Sequence, residues 1–315
     1  MRLFRALALG AAGLAFLVAV LGSWVRINDA GLTCPDWPLC RGSVVPALSG
    51  GVVLEWSHRA GVLLEAFLVI GVLFTGRRLR ATVPHLGSGL AVLAGVFAVQ
   101  VLLGGATVEL GNSPISVVLH WAMAMALLAT LTVLAVLGFN AQPAQGAARH
   151  GAPGSDGAAL ALVIAAGAAL MAMCVGAYVS SSHAGLACAS FPLCGPDAFG
   201  RGEAQVAQML HRAAALVVVA TALVAAVVVT LAGASSRVRL TTYAGCALVL
   251  GQAALGAANV YAAMPIVLRE LHAGNAALTF IAFVLAATYA NLERAPQRAS
   301  AAQPSLRPAH IASSR

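Results

Sequence analysis

Glu55-Trp56-Ser57-His58-Arg59 sets a carboxylate, an imidazole and a guanidinium side by side where a long apolar run begins. Gln208-Met209-Leu210-His211-Arg212 does nearly the same 153 positions later, with an amide in place of the carboxylate. On a helix, Glu55 and His58 are three residues apart and share a face. Ionisable groups on a membrane helix are costly and point first to function. The fold follows from what surrounds these two stretches.

The surroundings are apolar: 60% of the residues are hydrophobic and 9% charged, with a mean hydropathy of +0.90. A soluble globular chain carries about 25% charged residues, so this composition is that of an integral membrane protein. Eight runs, near 6–25, 59–76, 86–108, 115–138, 158–180, 206–232, 238–262 and 268–290, are each long enough to cross a bilayer. They are rich in Leu, Ala and Val without polar alternation, which selects helices over a β-barrel. The first run follows Arg2 and Arg5 as a signal peptide would. Its length and its counterpart near 158–180 make it a retained helix.

All 18 basic residues are Arg. Arg2, Arg5, Arg77, Arg78, Arg80, Arg149, Arg237, Arg239, Arg294 and Arg298 fall on one side of the eight runs, against Arg26, Arg41, Arg201 and Arg269 on the other. The positive-inside rule then places both termini in the cytoplasm and the cysteine-bearing loops outside. The net charge of +8 reads as topology and contact with membrane lipid. Dispersed over short loops, it forms no nucleic-acid patch.

Cys34-Pro-Asp-Trp-Pro-Leu-Cys40 aligns with Cys188-Ala-Ser-Phe-Pro-Leu-Cys194 at an offset of 154. His58 and His211 follow at 153, and His120 and His272 at 152. Gln100-Val-Leu-Leu-Gly-Gly-Ala106 matches Gln252-Ala-Ala-Leu-Gly-Ala-Ala258. The expected fold is an all-α integral membrane protein, with eight transmembrane helices as two tandem four-helix bundles. An even number of helices per copy makes the repeat parallel, with a pseudo-twofold axis. The bundles span 1–138 and 158–293. Residues 139–157, rich in Ala, Gly, Gln and Pro, read as a flexible cytoplasmic linker. Residues 294–315 read as a disordered polar tail.

His58 and His211 open the second helix of each copy, and His120 and His272 the fourth, so each pair sits at one depth near the outer surface. Two imidazoles facing each other across a bundle are the arrangement that clamps a haem iron from both faces. Arg59 and Arg212 offer forked donors to its propionates. The bland alternative, interfacial histidines tolerated at helix ends, fits any one of them but not four at repeat-matched positions. Zinc would want further ligands that the second copy does not offer. His85, His150 and His310 carry no expected role, and His183, opposite Asp29 in the repeat, is assigned none. Cys174 and Cys246 read as core packing. Cys34/Cys40 and Cys188/Cys194 lie in loops on the oxidising side, where short disulfides persist. They serve as structural staples, or as a redox pair exchanging with a thiol partner.

These elements together resemble haem A synthase, a family that converts haem O to haem A for terminal oxidases. The resemblance covers residues 1–293 apart from the linker. It implies that His58 and His120 hold the substrate haem O and that His211 and His272 hold a permanent haem B. It also implies that a ring methyl is oxidised to a formyl through successive hydroxylations with oxygen from water, and that Cys34 and Cys40 assist substrate handling. The expected setting is the bacterial inner membrane, with haem sites and cysteine loops toward the periplasm. Expected partners are haem O synthase as the donor of substrate and an unidentified electron acceptor, and a homo-oligomer is compatible with the sequence.

Glu55 exists in one copy only, and an amide cannot take a proton. Glu55 is therefore the candidate base that deprotonates substrate or the attacking water. The bland alternative is an ion pair with Arg59 at a helix start. Glu109 reads as a solvated loop carboxylate or a lining of the substrate site, and Glu65, within the second helix, and Glu270, near the mouth of the eighth, as groups supporting the site; none of the three is assigned a role. A di-haem b-type electron carrier or quinone oxidoreductase would use the same histidines but leaves the Glu55/Gln208 difference unexplained. A transporter would place its polar groups near the midplane rather than at the outer mouths.

Overall fold

The computed structural model describes residues 1–141, 155–196 and 199–301. Its helices are α1 (Arg2–Ile27), α2 (Gly51–Arg77), α3 (Leu86–Glu109), α4 (Pro114–Asn140), α5 (Ser155–Ser181), α6 (Glu203–Leu231), α7 (Ser236–Tyr261) and α8 (Ile266–Ala301). All eight are long and apolar enough to cross a membrane. Even α3, with 24 residues, reaches about 36 Å at 1.5 Å per residue. No strand occurs among the described residues, only an isolated bridge between Cys40 and Ser43. Most of the expected linker, residues 142–154 with His150, and residues 302–315 of the expected tail with His310, lie outside the described residues.

Helix bounds differ from the hydropathy reading in one consistent way. The apolar run near 59–76 becomes a helix starting at Gly51, and the one near 206–232 starts at Glu203. The four histidines therefore stand about two turns inside their helices rather than opening them. Hydropathy stops where polar side chains begin, but Glu55, His58 and Arg59 continue the helix because each finds a partner there. At the other end α8 runs on to Ala301, past the expected boundary at 293.

Each set of four helices closes on itself. α1 packs on α2 and α4, and α3 on α2 and α4; α5 packs on α6 and α8, and α7 on α6 and α8. The two sets meet through α4 against α5 and α8, and through α1 against α8. A single buried cluster runs through this seam, including Phe4, Leu131, Leu134, Leu162 and Phe283. α5 and α8 bring Ala158, Ala165, Ala169, Ala277 and Ala286 to it. Inside a bilayer, hydrophobicity does not drive helices together, so small residues that admit close packing carry the association. Leu63, Phe67, Ile70 and Phe74 form an exposed apolar stripe on α2, the face that meets lipid.

Polar ties close both ends of the seam. At the end near the start of α1, Arg5 donates through Nε to the Gly138 carbonyl at 2.8 Å. At the opposite end Arg26 donates to the Ser180 and Ser181 carbonyls at 3.3 and 3.1 Å and pairs with Asp29 at 3.1 Å. Phe4 fills the space beside Gly138, where an added Cβ would stand 2.9 Å from its ring. Gly138→Ala should therefore destabilise the fold by about 1–3 kcal/mol through overpacking, read as a lower thermal midpoint in detergent, while Gly10→Ala, which meets nothing within 4 Å, should leave it unchanged.

Candidate functional site

The loop between α1 and α2 and the loop between α5 and α6 are each closed by a disulfide. Cys34 is bonded to Cys40 with Cα atoms 4.6 Å apart, and Cys188 to Cys194 at 4.7 Å. Within the first loop Asp36 accepts backbone N–H groups from Gly42 at 2.8 Å and Arg41 at 2.5 Å. The Gly42 and Arg41 donors hold its carboxyl below the usual carboxylate range. In the second loop Ser190 stands at the matching position, and its hydroxyl accepts the Gly195 N–H at 2.7 Å.

Both loops are tied to the following helix one turn before a histidine. Glu55, 4% exposed, accepts the Cys34 N–H at 2.7 Å and the Thr33 hydroxyl at 2.9 Å on one oxygen. Its other oxygen pairs with Arg59 at 2.7 Å. Gln208 makes the matching tie with different chemistry: Oε1 accepts the Cys188 N–H and Nε2 donates to the Gly185 carbonyl, both at 2.6 Å. The neighbours follow the head group. A carboxylate only accepts, so Thr33 and Arg59 supply donors; an amide donates as well, so Ala187 suffices where Thr33 stood.

Arg59 and Arg212, expected from the sequence beside propionates, make their contacts with the disulfide loops. Arg59 donates to the carbonyls of Cys34 at 2.8 Å, Asp36 at 2.6 Å and Leu39. Arg212 donates to those of Cys188 at 3.2 Å, Pro192 at 2.8 Å and Leu193 at 3.1 Å, and lies over the Phe191 ring. Each guanidinium clamps its disulfide loop onto the helix carrying the histidine.

The histidines share a second device. His58 donates through Nδ1 to the Val18 carbonyl of α1 at 3.1 Å, and His211 to the Ala172 carbonyl of α5 at 3.2 Å. A carbonyl only accepts, so Nδ1 carries the hydrogen and Nε2 keeps its lone pair for a metal. Each ring rests on a glycine of the neighbouring helix. A Cβ on Gly22 would stand 2.8 Å from His58 Cε1, and one on Gly176 2.8 Å from His211 Cε1. On Gly104 and Gly256 it would stand 3.2 and 3.3 Å from Cε1 of His120 and His272. His211 and His272 approach edge to face with ring centroids 6.2 Å apart.

An open cavity of about 1380 Å³, lined by residues of both halves, takes in all four histidines, Glu55 and Gln208. Ordinary small-molecule sites occupy roughly 300–1,000 Å³. The donor set fits a haem: four imidazoles, two of them with Nδ1 held by a backbone carbonyl and two, His120 and His272, with Nδ1 unpartnered, together with flanking glycines and an apolar wall. Among the described residues no group of three or more His, Cys, Asp and Glu could hold a bare metal ion.

Of the remaining candidates, Glu109, His85 and His183 are exposed, and Cys174 and Cys246 are free and half-buried. Glu65 and Glu270 are buried, with no hydrogen bond to either carboxylate oxygen. Thr33 and the four glycines were not singled out from sequence. Gly22 and Gly176 differ by 154, and Gly104 and Gly256 by 152, so the repeat alignment carried the signal.

The glycine contacts order the consequences of substitution. Gly176→Ala, with its Cβ at 2.8 Å, should displace His211 and sharply lower the chromophore content of the purified protein, whereas Gly256→Ala, at 3.3 Å, should lower it less. Absorbance per unit protein reads both.

Residues 5–51 and 49–284 match the family described as cytochrome oxidase assembly protein. The chain is 35% identical over 258 residues to the haem A synthase of Shouchella clausii, covering 78% of this chain and 82% of that one. It is 32% identical over 223 residues to the haem A synthase of Bacillus licheniformis, covering 67% of this chain and 70% of that one. With matched disulfide loops and four glycine-seated histidines inside the matched span, the chain belongs to the cytochrome oxidase assembly family that contains the haem A synthases.

Proposed function

We propose that the protein oxidises a ring methyl of haem O to the formyl of haem A. The observation that carries this reading is two near-identical histidine sites of which only the first keeps a carboxylate at its edge. Written per methyl group, R–CH₃ and water give R–CHO, with the electrons leaving as two successive pairs and a proton accompanying each electron. The electrons pass to an acceptor outside the chain.

In this reading His58 and His120 bind the substrate's iron and fix the macrocycle across the first bundle. His211 and His272 hold a haem B, whose chemistry when bound is electron transfer. Val18 and Ala172 hold the tautomers that leave Nε2 free for iron. The disulfide loops, clamped by Arg59 and Arg212, cover the mouths of the sites and limit water at the reacting edge. Cys34–Cys40 and Cys188–Cys194 act as staples, since each loop backbone is also fixed by carboxylate, amide and guanidinium contacts. The sites face the outer side of the bacterial inner membrane, with both termini cytoplasmic. Haem O synthase is the enzyme whose product this site would receive.

Glu55 has two tasks. It anchors the Cys34 loop, and it is the carboxylate one turn from His58 on the cavity wall, where it takes a proton from substrate or the attacking water. Gln208 is a natural control for separating the two, because an amide holds the matching loop in the second half.

Glu55→Gln should keep the loop, the disulfide and haem loading while lowering turnover about 10²–10⁴-fold. Unchanged turnover with normal loading would remove the base role. Glu55→Ala strips the buried Cys34 N–H and Arg59 of their partner and should cost about 2–4 kcal/mol of stability. The function itself is tested by expressing the chain with and without a haem O-forming enzyme and extracting the pigments. Haem A or hydroxylated haem O supports the synthase; haem B alone at both sites would identify a di-haem electron carrier.

A further inference from the structure

The two halves treat their inner polar groups differently. In the second half Gln252 is fully engaged: Oε1 accepts from Asn275 at 2.7 Å, and Nε2 donates to the His272 carbonyl at 3.0 Å. In the first half the matching glutamine is Gln100, and Met123 stands where Asn275 would pair with it. Gln100 Oε1 is buried with no hydrogen bond. Seven residues beyond His58 on α2, Glu65 is 2% exposed, and both of its oxygens are also without a partner. Val218 occupies that position in the second half. Glu65 and Gln100 both line the cavity that contains His58 and His120.

A buried carboxyl and a buried amide oxygen without partners are costly in a bilayer-embedded core. At the two matching positions the second half carries neither, with Val218 for the acid and an engaged Gln252 for the amide; its own unpaired buried groups, Asn259 Oδ1 and the Glu270 carboxyl, stand elsewhere. Glu65 lies about 10 Å along the helix axis from His58, and helical side chains lean toward the N-terminus, which for α2 is the His58 end. That turns its carboxyl back toward the level of His58, on a cavity wall that also carries Phe97, Val101 and Ala124.

We propose that Glu65 and Gln100 form a hydrogen-bonding subsite for an aliphatic hydroxyl on the periphery of the porphyrin substrate. This rests on the reading of the first half as the substrate site. Two hydroxyls have this chemistry. One is on the carbon joining the isoprenoid tail of haem O to the ring, which haem B lacks. The other is the hydroxymethyl group formed when the ring methyl is first oxidised. A hydroxyl satisfies Gln100 as a donor and Glu65 as a donor or acceptor. Haem B, presenting a vinyl group, leaves both unpaired. Selection of this kind works because the site's own polar groups are stranded by the wrong ligand.

The test uses the full-length protein, loaded at the second site, in detergent. Haem O and haem B are titrated into the first site by absorbance, and products are separated after turnover. Wild type should favour haem O over haem B by about ten- to a hundredfold, the scale of one buried hydrogen-bonding group left unpaired. Glu65→Val, which copies the second half, should bring that ratio close to one with its thermal midpoint at or above wild type, because an unpaired buried carboxyl is gone. Glu65→Gln should retain most of the preference, and Gln100→Leu should lose part of it. Loss of the haem O preference identifies the tail hydroxyl as the ligand. A retained preference with early release of the hydroxymethyl product identifies the methyl-derived one. If wild type converts haem O while Glu65→Val and Gln100→Leu change neither the preference nor the product ratio, this subsite is wrong and the proposed function stands. If wild type neither prefers nor converts haem O, both fall.

Discussion

The backbone N–H of Cys34 on the Glu55 carboxylate, repeated as Cys188 on Gln208, is the contact on which the rest of each site depends. It fixes a disulfide-closed loop to a helix one turn before His58 or His211, so loop and imidazole cannot move independently. A buried N–H there must be satisfied, and the side chain that satisfies it must itself be neutralised or paired. That second requirement selects the neighbourhood. The carboxylate brings Thr33 and the Arg59 ion pair, whereas the amide finds the Gly185 carbonyl. The difference between Glu55 and Gln208 is thus structurally self-consistent in each half. It does not by itself require chemistry, and the case for Glu55 as a base rests also on its place on the cavity wall.

Much of this was legible in the residues. Length and apolarity gave eight spans, and constant offsets between cysteine pairs and histidines gave the equivalences that the hydrogen bonds of the two halves repeat. What escaped sequence reading shares one physical trait: the partner is a backbone carbonyl or an absent side chain. For Arg59 and Arg212, nothing in a sequence reveals that the Cys34, Pro192 and Leu193 carbonyls lie within reach. The helix starts at Gly51 and Glu203 were missed because hydropathy counts polar residues against a span, even where their donors and acceptors close on themselves. The glycines beneath the histidine rings were visible in the alignment. Their meaning is steric, and it appears only when a Cβ is placed against the imidazole.

The histidine seats show how a bundle orients a ligand without additional polar groups. A glycine lets the ring lie against the neighbouring helix, and in α2 and α6 a carbonyl of that same helix takes Nδ1–H. Contact and hydrogen bond together hold the ring by its back edge and aim Nε2 inward. Such orientation costs little in a bilayer, because a carbonyl that accepts from the next turn of its own helix has a second lone pair available.

A permanent ligand and an exchanging one place opposite demands on a buried wall. A site that is always filled can leave polar groups to the ligand or satisfy them internally. A site that empties in every cycle exposes whatever the departing ligand had satisfied. At the positions matching Gln100 and Glu65 the second half is satisfied internally, with Gln252 on Asn275 and Val218 in place of an acid. The first half is not, with Gln100 and Glu65 unpaired beside the cavity. Strain of this kind persists only where the surroundings are over-determined, and here the clamped loop, the glycine seats and the shared core supply that rigidity. Glu65 and Gln100 lie in the half that keeps Glu55, so the proposed hydroxyl subsite and the proposed base fall in the same bundle.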